Sequence, residues 1–272
     1  MESGGKVTAM PDWCVVVQRS GPLTKTYFTD RHKSVAWAAR QQFRDGPPPG
    51  PYMWGTSEDK LELYLALFGF AGAHYVLTFR DDDLPPDFDG VKRCFRAFIT
   101  KARRWRPEAL RKYVYAVEAG HEKGRWHIHF VADARLLSLE DVSGLWRYGF
   151  VNPGKAEYPV LHEKGGFHRL AYYFCKPDKF IPLGKHPWGV AEGMKAMIPP
   201  PSVRVQQRRP GVPQKNYYCS YRTKDPVRVV NGHSSALMEY ASWVALPKPG
   251  EYIYSPEKNR QKRKRFNLEY DL

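Results

Sequence analysis

The chain has 272 residues, 42% of them hydrophobic, enough for one sizeable core with extensions. Lys and Arg number 43 against 28 Asp and Glu, and this net charge of +15 points to a polyanionic partner. No apolar run reaches the roughly 20 residues needed to span a bilayer, and no secretory h-region opens the chain, so a cytoplasmic protein without a membrane partner is expected.

In chain order, residues 13–18 read as a short strand and residues 33–43 as a helix, closed by a Pro/Gly run over 45–51. Thr56-x-x-Asp59 has the form of a capping box, and the helix behind it carries Leu61, Tyr64, Leu65 and Phe68 at helical spacing. Residues 74–80 read as a strand. Val91, Phe95, Phe98 and Ile99 mark an amphipathic helix ending in a basic stretch over 101–106. Two strands follow, 113–118 and 126–131, joined by a turn. Ser138 caps a helix bearing Val142, Leu145 and Trp146, and Gly149 is expected to stop it. Residues 166–176 read as a last helix, ended by Pro177. The order β-α-β-β-α predicts an α+β fold, a central antiparallel sheet with packed helices. The divisions expected are an N-terminal extension over 1–55, a core domain over 56–180, and a C-terminal extension over 181–272 with a basic tail. The four cysteines are scattered without a C-x-x-C pair, which fits a reducing compartment.

The strand Trp126-His127-Ile128-His129-Phe130-Val131 carries the chemistry. Side chains alternate along a strand, so His127, His129 and Val131 share one face, and Trp126, Ile128 and Phe130 share the other. The two imidazoles stand about 7 Å apart by strand rise. Two neutral imidazoles on a common face can hold a divalent metal. Taken alone, the pair fits a packed or surface strand equally well. A symmetric hairpin register puts Glu118 opposite His127 and Ala116 opposite His129, making Glu118 a third ligand; a slip by one residue turns it away. In the last helix Phe167, Leu170, Ala171 and Phe174 form an apolar stripe, with Arg169, Tyr172, Tyr173 and Lys176 assigned to the opposite side. Tyr172 and Tyr173 are four and three residues from Lys176, and both spacings make neighbours.

His127-Ile128-His129 followed by Tyr173-x-x-Lys176 resembles the HUH endonucleases, and among them the rolling-circle replication initiators (Rep proteins) of plasmids, phages and integrative elements. Tyr75-Val76-Leu77-Thr78-Phe79 matches the family's first motif, an apolar strand with a Thr. The resemblance covers roughly residues 72–180. It implies an RRM/ferredoxin-like palm as the HUH domain over 56–180. It also implies metal ligands Glu118, His127 and His129, and catalytic Tyr173, with Tyr172 as the competing nucleophile and Lys176 beside it. The implied activity is metal-dependent nicking and joining of single-stranded DNA through a covalent 5′-phosphotyrosine. Mn2+ or Mg2+ is the implied cofactor; the donor set favours Mn2+, cellular abundance Mg2+. The implied partners are single-stranded DNA at a replication origin, folded as a hairpin, and a host helicase and polymerase, because the chain has no phosphate-binding loop of the helicase type. A relaxase or single-strand transposase uses the same chemistry, although many relaxases place the tyrosine ahead of the histidines. A non-catalytic DNA-binding protein with structural histidines is the reading from another class.

Basic and aromatic residues interleave, as aromatic faces stack bases and cations hold phosphates. Thr78, Arg80, Arg103, Arg104, Arg125, Lys179 and Arg222 are the candidate DNA contacts, and the basic run over 258–265 adds non-specific affinity.

Overall fold

Alternating apolar residues in the segments around Tyr75 and Phe130 are buried on both faces of one sheet, and the remaining elements follow from covering it. The computed structural model describes residues 13–29, 57–120, 124–153, 166–175, 182, 184–206, 217–222, 227–231 and 234–254. The strands are β1 (Trp13–Ser20), β2 (Leu23–Thr29), β3 (Gly72–Thr78), β4 (Val114–Ala119), β5 (Trp126–Asp133), β6 (Val151–Pro153), β7 (Trp188–Val190), β8 (Ser202–Gln206), β9 (Tyr217–Arg222), β10 (Val227–Asn231) and β11 (Ser234–Ala245). The α-helices among the described residues are α1 (Ser57–Ala66), α2 (Phe88–Trp105), α3 (Leu139–Leu145) and α4 (Gly166–Cys175). The expected helix over 33–43, the Pro/Gly run, Thr56, Lys176, Lys179 and the basic tail lie outside the described residues.

The chain forms two compact units, one built on residues from both flanks and one on residues 57–198. In the first, a six-stranded sheet runs β10-β11-β2-β1-β8, with β9 also on β11. Strands from before residue 30 and after residue 200 thus meet in one sheet.

The second unit carries the motifs. Its five-stranded sheet runs β6-β3-β5-β4-β7, antiparallel at every pair. From β3 to β6 the chain order is β-α-β-β-α-β, the ferredoxin-like pattern. β7 adds a strand from beyond residue 180, at the edge of β4. The fold is α+β, as the pattern of elements predicts.

One sheet face packs on α2. Phe95 and Phe98 of α2 meet Phe130 at ring-centroid distances of 5.9 and 5.4 Å, and Phe130 meets Tyr75 at 6.2 Å. Such aromatic pairs add about 0.5–1.5 kcal/mol each beyond area burial. The Tyr75 hydroxyl donates to Leu137 O at 2.6 Å, and burial pushes the phenol well above its ordinary range, so it stays a donor. The other face carries His74, His129 and Val131 and packs on α4. There Phe174 lies 5.6 Å from His74 and 5.5 Å from His129, ring centroid to ring centroid. α4 in turn packs on α1.

Helix α2 starts at Asp87, whose side chain accepts from Gly90 N at 2.6 Å. Helix α3 has the expected Ser138 start, as a capping box closed by Asp141. Its end differs from expectation. It stops at Leu145 rather than at Gly149, because Trp146 turns in to donate its indole N–H to Thr78 O at 2.9 Å. Gly149 serves close approach instead: a Cβ there would stand 2.1 Å from Thr78 O.

Candidate metal centre

The hairpin β4–β5 adopts the symmetric register. Glu118 pairs with His127, Ala116 with His129 and Val114 with Val131. On the other side of β5, His127 pairs with Thr78, His129 with Val76 and Val131 with His74. Partners across a ladder share a face, so Glu118, His127, His129, Thr78 and His74 all stand on one side of the sheet.

Glu118 Oε2 lies 3.1 Å from His129 Nε2 and 3.8 Å from His127 Nε2. The rise along the strand is shortened at the imidazoles: the two ring centroids are 4.9 Å apart. One donor atom from each of the three residues lies within 4.8 Å of the others, the arrangement of a group able to hold a metal ion. A cation bonded at ~2.1 Å to such donors holds them ~3.0–3.5 Å apart, so small side-chain adjustments close the cluster. The chemistry of the set also fits. Glu118 and His129 are buried, His127 is half-open, and a buried carboxylate beside neutral imidazoles is costly without a cation. Mn2+, Mg2+ and related divalent ions accept such N/O donor sets.

His74, which did not enter the sequence reading, belongs to this site. Its Nε2 is 2.9 Å from His129 Nδ1, and both rings are buried. With the His129 proton on Nδ1, His74 accepts it and the Nε2 lone pair of His129 is left for a cation. A second-layer partner of this kind sets tautomer and ring orientation in metal-binding histidines. The signal was present in the sequence: His74, Val76 and Thr78 alternate on one strand, so His74 shares the face of the first-motif Thr.

The helix α4 supplies the tyrosines, and here the helical-wheel expectation is corrected. Tyr172 does point away from the apolar stripe and is exposed. Tyr173 does not. It follows Leu170 by three residues, about 60° from it on the wheel, and so borders the stripe. Its ring sits 5.1 Å from that of His129, edge to face, and its hydroxyl lies 3.4 Å from His129 Nε2.

The candidate DNA contacts divide. Thr78, Arg80 and Arg125 gather at the end of the sheet that carries His127. Thr78 Oγ1 donates to Phe150 O at 3.1 Å, Arg80 donates to Arg147 O at 3.1 Å, and Arg125 pairs with Asp81 and donates to Phe79 O at 2.6 Å. Arg103 and Arg104 end α2, the helix packed on the opposite sheet face. Arg222 closes β9 in the other unit.

No helix among the described residues is long and apolar enough to cross a membrane. Searches of curated proteins and of solved structures give no match. Residues 74–178 match a family model whose description is that of a replication-associated protein. The match starts at His74 on β3 and runs past α4, so it spans the candidate ligands and Tyr173, and it supports a general role in DNA replication. Residues 74–178 thus form a domain of this replication-associated protein family, consistent with a rolling-circle Rep protein.

Proposed function

We propose that this protein nicks and rejoins single-stranded DNA at a replication origin, with Tyr173 as nucleophile and Glu118, His127 and His129 as ligands of Mn2+ or Mg2+. The observation that carries the reading is the position of the Tyr173 hydroxyl, 3.4 Å from His129 Nε2 and therefore beside the three-residue cluster. A phenol with an ordinary pKa near 10 is a weak nucleophile at neutral pH, so its neighbourhood matters. When bound, a divalent cation polarises a phosphate oxygen and offsets the charge that develops on it.

The chain's own residues do the rest. Tyr173 Oη attacks phosphorus, the bond from phosphorus to the 3′ oxygen breaks, the phenol gives up its proton, and the departing oxygen takes one up as a free 3′-OH. The product is a phosphodiester between Tyr173 and the 5′ end. The reverse attack by a 3′-OH restores the DNA and the phenol, because the covalent bond conserves the phosphodiester. Lys176, three residues on, supplies a cation for the phenolate and the phosphate. His74 holds the His129 ring, and Thr78, Arg80 and Arg125 lie where the strand enters. The freed 3′-OH is the primer for a host polymerase, with a host helicase opening the duplex.

The test is adduct trapping. Incubation with labelled single-stranded origin DNA and Mn2+ should give a species of retarded mobility on a denaturing gel, lost in EDTA. Peptide mapping should place the nucleotide on Tyr173. Adduct at undiminished yield in EDTA, or with His129→Ala, would remove the metal role; no adduct at all would leave a binding protein.

A further inference from the structure

The histidine face is covered unevenly. α4 seals it at His74 and His129, but His127, Thr78 and Val76 are only half-buried, and Asn152 and Phe150 beyond them are exposed. An open strip therefore leads from the candidate metal centre to the β6 edge of the sheet. Phe150 stands at its far side, 62% exposed, the most exposed of the large apolar side chains among the described residues.

We infer that Phe150 is a stacking platform for an unpaired nucleobase next to the cluster of Glu118, His127 and His129. The register places it there. Leu77 pairs with Val151, and the ladder continues through Thr78 N–H to Phe150 O at 2.9 Å, so Phe150 stands opposite Thr78 as Thr78 stands opposite His127. Phe150, Thr78, His127 and Glu118 thus form one row across four adjacent strands on one face. Two inter-strand spacings separate Phe150 from His127, roughly 10 Å, so a base resting on Phe150 belongs to a nucleotide close to the phosphate at His127.

The platform is held in advance. Phe150 O accepts from both Thr78 N and Thr78 Oγ1, and Arg80 N donates to Tyr148 O one ladder step further. Gly149 lets this segment lie against β3, where any Cβ would strike Thr78 O. Cations surround it: Arg147 is exposed with its guanidinium 5.0 Å from the Tyr148 ring centroid, and Arg80 binds the Arg147 carbonyl. A bare aromatic ring among arginines on a chain of net charge +15 suits a single strand, which offers both base faces and phosphates. A duplex, with its bases stacked, offers the ring nothing.

The inference rests on the reading of this domain as one that handles single-stranded DNA, and its test is independent of cleavage. Fluorescein-labelled oligothymidylate, and its duplex with oligodeoxyadenylate, are titrated with full-length protein at several salt concentrations. Phe150→Leu keeps apolar bulk but removes the π face. It should weaken single-strand binding ~5- to 150-fold, the range for loss of one stacked base, with unchanged salt slope and unchanged duplex binding. Phe150→Trp should bind as the wild type does or more tightly. Wild-type affinity in Phe150→Leu, an equal loss in Phe150→Trp, or a parallel loss for duplex would overturn the platform. If Phe150→Leu loses affinity while the wild type forms no covalent adduct, the nicking mechanism falls and the platform stands. A normal adduct together with unchanged affinity in Phe150→Leu sinks the platform alone.

Discussion

Tyr172 and Tyr173 are chemically identical neighbours, and their surroundings separate them. Tyr172 is 46% exposed on the outer side of α4, whereas Tyr173 reaches His129. Tyr173→Phe preserves the ring contact with His129 and removes one oxygen, so it should bind single-stranded DNA normally and form no adduct. Tyr172→Phe should keep most of the activity. A nucleotide mapped to Tyr172 would reverse the assignment. His74 is the second residue-scale case. His74→Phe keeps the packing against Phe174 but leaves His129 Nδ1 without its acceptor, and should lower Mn2+ affinity by about 10- to 100-fold. His74→Gln can offer an oxygen near the lost Nε2 and should recover most of that affinity. Titration calorimetry with Mn2+ reads both variants, and equal affinities for wild type and His74→Phe would show that the contact is packing alone.

Among the elements, the connection from α3 to β6 bears most on the site. It leaves the helix at Leu145, inserts Trp146, and passes Gly149 across the end of β3. Gly149→Ala forces a methyl group into backbone and should cost roughly 1–3 kcal/mol, as overpacking does. It should also weaken single-strand binding, because Phe150 moves with the segment. A urea titration alongside the oligothymidylate titration checks both, and a variant of unchanged stability would contradict the close approach. Asp87 offers a milder contrast at the start of α2. Its cap hydrogen bond is remote from the metal cluster, so Asp87→Ala should cost about 1 kcal/mol and leave Mn2+ affinity as it was.

Over the whole molecule, the excess of 15 positive charges makes affinity for DNA dependent on salt. Each phosphate contact contributes a slope of about −0.7 in log K against log salt for a single strand. Removing residues 258–272 should flatten that slope, because the run over 258–265 is dense in Lys and Arg, while adduct formation at saturating oligonucleotide persists. Arg147→Gln should flatten it by about 0.7 if the exposed guanidinium meets a phosphate. Unchanged slopes in both variants would place the phosphate contacts elsewhere on the chain.

Local pattern determined a large part of this protein. Period-two alternation marked β3, β4 and β5, and the assumption of a symmetric hairpin was enough to set Glu118 opposite His127, because side-chain parity leaves only two choices per strand. The spacing of Phe95, Phe98 and their neighbours marked the buried face of α2, and Ser138 marked the start of α3. What depended on distant segments was decided only by the tertiary structure. His74 and His129 are 55 residues apart, and nothing local says that β3 pairs with β5 rather than with β4. The wheel placed Tyr173 on the wrong side because a residue at the border of an apolar stripe turns inward or outward according to what the helix packs on, here the His129 ring. Gly149 read as a helix stop from its sequence position, yet the strand it touches lies some seventy residues earlier, and Phe150 became an exposed member of the site row by the same pairing. Short-range periodicity specifies which faces are apolar; which faces meet is a property of the folded chain, since contacts between distant segments are set by packing the whole sheet at once.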